Sequence, residues 1–128
     1  MASFGAWLEQ LIAESTGKQG KGIIPVDTEP PLPAKKYAAD RLFVHLNFTA
    51  DDAPGQAARV KELRKAGQPL LTLPISSLYD LGGEFFRWQV AVAVACSILG
   101  VNSFDQPDVQ DSKDRTRSKV TAYRQTRA

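Results

Sequence analysis

Cysteine and histidine each occur only once in this 128-residue chain. Cys96 alone excludes an internal disulfide and a cysteine-rich metal site, and with His45 as the single imidazole there is no His/Cys set for zinc. A reducing cytoplasm fits that usage. Between Met1 and Trp7 no basic run leads into a long apolar core, so no secretory signal is expected. The most apolar stretch, Trp88 to Val101, is about fourteen residues long, short of the roughly twenty that span a bilayer, and predicts a buried helix rather than a membrane partner. Glycine-rich nucleotide loops, nucleophile elbows, metal motifs, internal repeats and low-complexity tracts are also missing.

What is present is ordinary for a folded domain. Apolar residues make up 43% and charged residues 23%, too apolar for wholesale disorder. Sixteen basic and fourteen acidic residues give a net charge of +2, and only the stretch after Lys113 is visibly basic, with Arg115, Arg117, Lys119, Arg124 and Arg127. Asp114 is the one acid in that stretch, and no aromatic platform accompanies it. A solvated helix face therefore accounts for it more simply than a nucleic-acid or lipid surface, and no nucleic acid is expected.

Helical spacing of Phe4, Trp7, Leu8, Leu11 and Ile12 predicts an opening amphipathic helix with Ser3 as N-cap and Gly17 as stop. Gly20 to Val26 reads as a loop entering a short strand that ends near Pro25, and 27–39 as an exposed proline-rich connector. The run Leu42-Phe43-Val44-His45-Leu46 suits a strand covered on both faces. A helix follows to about Ala66, capped by Asp51 or Asp52, with Ala57, Val60, Leu63 and the stem of Arg64 facing the core. Pro69 to Pro74 is a second buried strand, so the three elements form one βαβ unit. A long helix from Tyr79 or Gly82 to Leu99 is expected to be apolar nearly all round beyond Val90, and Pro107 opens a final helix and basic tail over 107–128. The reading is one α/β domain over 1–128.

Two stretches carry possible chemistry. Gln10 and Glu14 are four apart, so an amide and a carboxylate share one helix face beside Gly17, where the carboxylate can serve as a general base. On spacing alone a surface Gln/Glu pair explains them more simply. Gln106 and Lys113 are separated by nearly two helical turns at the start of the last helix, where a ligand or merely a capped surface helix fits. His45 reads as a structural histidine, Ser76, Ser77 and Tyr79 as capping residues, and Gly82-Gly83 as a site of close packing or ligand approach.

Taken together, Glu14-Ser15-Thr16-Gly17-Lys18 and Asn102-Ser103-Phe104-Asp105-Gln106 followed by Lys113 resemble two motifs of the phosphoglucose isomerases, in the same order. The wording of Tyr79 to Trp88 and Phe104 to Gln110 is similar to the isomerase part of bacterial bifunctional transaldolase/phosphoglucose isomerases. The resemblance spans about Trp7 to Arg117. It implies a partial sugar-isomerase (SIS-type) domain, three-layer αβα with a short, mostly parallel sheet. The implied activity interconverts glucose 6-phosphate and fructose 6-phosphate through an enediol, without metal or other cofactor.

The resemblance also implies roles. Glu14 would move the proton between C2 and C1, Gln10 would border the site, Gln106 would contact the phosphate region and Lys113 would meet the sugar oxygens during ring opening. The family's enediolate-stabilising arginine and Ser/Thr-rich phosphate loop lie ahead of the first motif, and this chain begins about ten residues before it. Ala57, after Gly55-Gln56, stands where the family's ring-opening histidine would be; His45 or no residue replaces it. The expected chain is therefore a C-terminal portion, inactive without a missing N-terminal half or a transaldolase domain, and able to form a homo-oligomer. Two other functions remain open: a non-catalytic sugar-phosphate-binding module, and an interaction protein using the basic last helix.

Overall fold

The structure, a computed structural model, describes residues 2–48 and 55–126. Its elements are α1 (Ala2–Thr16), a 3-10 turn at Ala34–Lys36, β1 (Phe43–Phe48), α2 (Gln56–Lys65), β2 (Leu70–Ile75), α3 (Leu78–Leu99) and α4 (Pro107–Thr126). The protein is α/β, with a short parallel sheet as its sequence predicts. Contacts divide it into two compact units, Met1–Thr28 with Trp88–Ala128, and Glu29–Arg87.

In the Glu29–Arg87 unit, β1 and β2 pair in parallel, with Phe43 opposite Leu70 through to Phe48 opposite Ile75, and α2 makes the crossover. Among its described residues, Ala34, Leu63, Leu73 and Ile75 are the buried apolar ones. Gly67, at φ 75°, ends α2 by a Schellman pattern: the Gln68 amide donates to the Leu63 carbonyl and the Gly67 amide to that of Arg64. Ser77 and Asp80 form a reciprocal cap for α3, since the Asp80 carboxylate accepts from the Ser76 and Ser77 amides while the Ser77 hydroxyl accepts from the Asp80 amide.

The proline-rich connector is tied down over 32–37. Arg59 donates to the Leu32 carbonyl at 2.5 Å and to Glu62 at 2.8 Å, and Glu62 accepts from the Ala34 amide at 3.0 Å. The Tyr37 ring lies against both Arg59 and Arg41 and meets Phe43 edge-on at 4.9 Å. The Ala34 amide foremost, and then the Arg59 guanidinium, hold the Glu62 carboxyl below the usual carboxylate range.

In the other unit, Leu11 and Ile12 of α1 pack on a buried cluster of Val92, Cys96 and Val101, joined by Leu99. Phe4 and Leu8 are buried on the same helix. Gly100, at φ 69°, gives α3 the same Schellman ending as α2, with the Val101 amide donating to the Cys96 carbonyl, and the Lys21 ammonium caps the Leu99 carbonyl at 2.7 Å.

Several expectations need correction. The segment 22–26 forms no strand: Pro25 offers no ladder donor, and Ile23, Ile24 and Val26 stay exposed. β1 is not covered on both faces, because Val44 and its cross-strand partner Leu71 remain more than a third exposed. α3 is not wrapped all round either. Val90, Val94 and Ile98 recur at four-residue spacing as a stripe left open, with Ile98 82% exposed. On α2 only Leu63 is buried; Ala57 and Arg64 are exposed. α1 begins at Ala2, so Ser3 lies inside the helix, and Asp51 and Asp52 lie outside the described residues.

Candidate active site

The first motif is a splice between helix and turn. Thr16, fully buried, ends α1 by donating its hydroxyl to the Ile12 carbonyl at 2.7 Å and accepting from the Ile23 amide at 2.9 Å. The Ser15 carbonyl accepts from the Cys96 thiol at 3.3 Å. Gly17 follows where the chain passes its own helix so closely that a Cβ would stand 2.6 Å from the Ala13 carbonyl oxygen. Glycine is therefore demanded by contact.

Lys18 is the motif's deepest charge, only 4% exposed. Its ammonium donates to the Asn102 carbonyl at 2.5 Å, to the Asp105 carbonyl, and to the Asp105 carboxylate at 3.0 Å. Three acceptors meet three donors, the condition under which a buried ammonium is tolerated. These contacts join residues 84 and 87 positions apart and fasten the second motif to the first. The turn itself is shaped by the Asn102 side chain, which accepts from the Phe104 amide at 3.0 Å.

A cavity of about 280 Å³ opens where the motifs meet. It is lined by Ala13, Glu14, Gly17 and Lys18 from one and by Gln106, Pro107, Asp108 and Val109 from the other. Glu14 and Gln106, predicted as site residues from separate stretches, thus share one cavity. Gln10 is not in the lining, but its amide donates to Glu14 Oε1 at 3.1 Å, orienting the carboxylate. Lys113 lies exposed on α4 and is not among the residues that line the cavity with Gln106.

Sequence reasoning missed two residues of this cavity. Asp108 brings a second carboxylate, and Lys18 lines the wall with every ammonium donor already taken. A buried lysine carries no local signal; only the joint occurrence of the motifs pointed there. His45 belongs to the Glu29–Arg87 unit, where its Nε2 lies 3.3 Å from Gln56 Oε1. Among the described residues no group of three or more His, Cys, Asp or Glu could hold a metal ion, and no helix is long and apolar enough to cross a membrane. On α4 two of the basic residues reach back to acids one turn earlier, Arg115 pairing Asp111 at 2.6 Å and Arg117 pairing Asp114 at 3.3 Å, within an exposed helix face.

No family profile and no solved structure matches the chain. Among curated proteins, the glucose-6-phosphate isomerase of Leptospira biflexa is 31% identical over 88% of this chain. The glucose-6-phosphate isomerases of Clostridium tetani and Pediococcus pentosaceus are 29% and 27% identical over 86% of it. The alignment with the first runs over 151 residues, more than the 128 of this chain, so it opens gaps in this chain. The chain covers 34%, 32% and 32% of those three proteins. It is similar, then, to a region amounting to about a third of a glucose-6-phosphate isomerase.

Proposed function

We propose that this chain supplies the proton-transferring carboxylate of an aldose–ketose isomerase that interconverts glucose 6-phosphate and fructose 6-phosphate, and that further protein completes the site. The observation that carries this reading is the convergence of Glu14 and Gln106 on one cavity. Similarity to named glucose-6-phosphate isomerases supports the substrate class.

In the proposed reaction the open-chain aldose places C2 beside Glu14. The carboxylate takes the C2 proton, the C–H electron pair forms the C1–C2 double bond, and the carbonyl oxygen becomes the enediolate oxygen. A proton passes from the C2 hydroxyl to O1, the O2 electron pair closes the C2 carbonyl as the C1–C2 pair takes the carbon-bound proton back at C1, and the ketose results. A carboxylate suits both halves because it accepts and releases one proton at neighbouring carbons. Gln10 engages Oε1, which leaves Oε2 as the base oxygen. Gln106 contacts the substrate from the opposite wall. Lys113 meets the sugar oxygens only if the ligand extends along α4 beyond the cavity.

Two features support dependence on additional protein. At about 280 Å³ the cavity falls just below the usual range of roughly 300–1,000 Å³ for small-molecule sites. It also offers the enediolate no uncommitted cation among its lining residues, since the Lys18 donors are spent. The completing part is a segment equivalent to the rest of the relatives' length or, following the wording of Tyr79 to Trp88, one joined to a transaldolase domain. The same missing cation favours, as the second reading, a sugar-phosphate-binding module without catalysis.

Titrating the purified, isotope-labelled chain with fructose 6-phosphate tests the site directly. Amide shifts at Glu14, Gly17, Gln106 and Val109 are expected, and their absence at millimolar ligand would sink the assignment. A coupled dehydrogenase assay on the chain alone should register no turnover. Robust turnover abolished by Glu14→Gln would show that the additional protein is dispensable, whereas unchanged binding by Glu14→Gln with no activity in any complemented form would favour the module.

A further inference from the structure

We propose that Lys18 is the positioning residue of this site: its buried ammonium fixes the turn before α4 so that Gln106 stands across the cavity from Glu14. That the cavity serves a sugar phosphate rests on the reading above; the fixing of α4 does not. The ammonium lies four residues beyond Glu14, and its acceptor Asp105 immediately precedes Gln106. The link therefore sits next to both functional side chains.

α4 gives this link its weight. The helix buries no residue, and its ion pairs at Arg115 and Arg117 run along its own surface. Its placement depends on what holds the turn at 102–106. There Lys18 binds two backbone carbonyls and one carboxylate, while the Asp105 side chain is half exposed and adds a contact from the rim. An apolar replacement of equal length removes all three bonds and leaves the carbonyls of Asn102 and Asp105 without that donor. A displacement of about 1 Å between base and substrate costs a reaction roughly a hundredfold, so a link beside both residues governs more than stability.

The test pairs a distance with a binding measurement on the full chain. Nitroxide labels at Ala6→Cys on α1 and Ser118→Cys on α4, both exposed, report the separation of the helices, while Cys96, 1% exposed, stays unlabelled. The wild-type background should give one narrow distance. Lys18→Met should broaden it at temperatures where circular dichroism still reports the wild-type helix content, and Asp105→Asn, which keeps both carbonyl acceptors, should fall between. A Lys18→Met distribution as narrow as wild type overturns the proposal. Should Lys18→Met fail to fold, Asp105→Ala decides: broadening supports the link, and an unchanged distribution overturns it.

Fructose 6-phosphate binding supplies the second arm. Lys18→Met should weaken it about tenfold or more, and equal affinity despite a broadened distance would overturn the positioning role. A wild-type chain with a narrow distance and no binding would instead overturn the sugar-phosphate reading, leaving the distance result to stand for the link.

Discussion

α1 and α4 border the same cavity but are held in different ways. α1 is gripped along its length, with Phe4, Leu8, Leu11 and Ile12 buried or packed against the core. α4 runs for twenty residues and buries none of them. The residue that carries the proposed chemistry belongs to the first helix, and Gln106, which lines the same cavity, belongs to the turn ahead of the second. Such a site keeps its proposed base on a packed helix and leaves the α4 wall dependent on polar contacts at one end. That asymmetry is what mutation can break or sharpen.

The largest effect is expected at the gripped helix. Phe4→Ala should cost about 3–5 kcal/mol of stability, the usual range for emptying a buried aromatic site, measured by urea denaturation. A loss under about 1 kcal/mol would mean that α1 is no better anchored than α4. Next comes the junction. Gly17→Ala sets a methyl 2.6 Å from the Ala13 carbonyl oxygen, so the backbone has to move, at about 1–3 kcal/mol, and the Glu14 and Gly17 amide shifts should move with it.

A smaller effect sharpens the contrast in the other unit, where the connector at 32–37 is also held by polar contacts. The Glu62 carboxyl is held low by the Ala34 amide and the Arg59 guanidinium. Its contribution is therefore complete above the unfolded carboxyl value of about 4.3 and is lost as pH falls through the lower folded value. Acidification should release the Ala34 amide to hydrogen exchange in that window, and Glu62→Gln should remove the dependence. The smallest effect is expected on α4: Arg115→Ala breaks an exposed i,i+4 pair and should cost no more than about 0.5 kcal/mol, less at high salt, read from helix content.

Much of this was legible in the chain because periodicity and punctuation are local. Leu8, Leu11 and Ile12 mark α1, Gly67 and Gly100 mark the ends of α2 and α3, and Pro107 begins α4, each by a rule that needs only neighbouring residues. The Val44 and Leu71 positions were read correctly as strand but wrongly as covered, since burial is set by what packs against an element and not by its own pattern. Glu14 and Gln106 were found through motifs. Lys18 stands in the first motif, but its role was not read there, because a lysine's need for acceptors is written in residues 84 and 87 positions away. Asp108 was missed for a similar reason: an acidic residue in a helix's first turn is expected on dipole grounds alone, so nothing set it apart as a cavity wall.

The sheet carries a consequence for handling the protein. With two strands among the described residues, each has one side along which no other described strand pairs. Pro74 removes one donor from β2, whereas β1 contains no proline and presents Val44 beside its open edge. β1 is accordingly the template on which a second extended segment adds most readily, and concentration becomes a structural variable. Dilute, charged conditions favour the single chain, and crowding favours strand-to-strand growth.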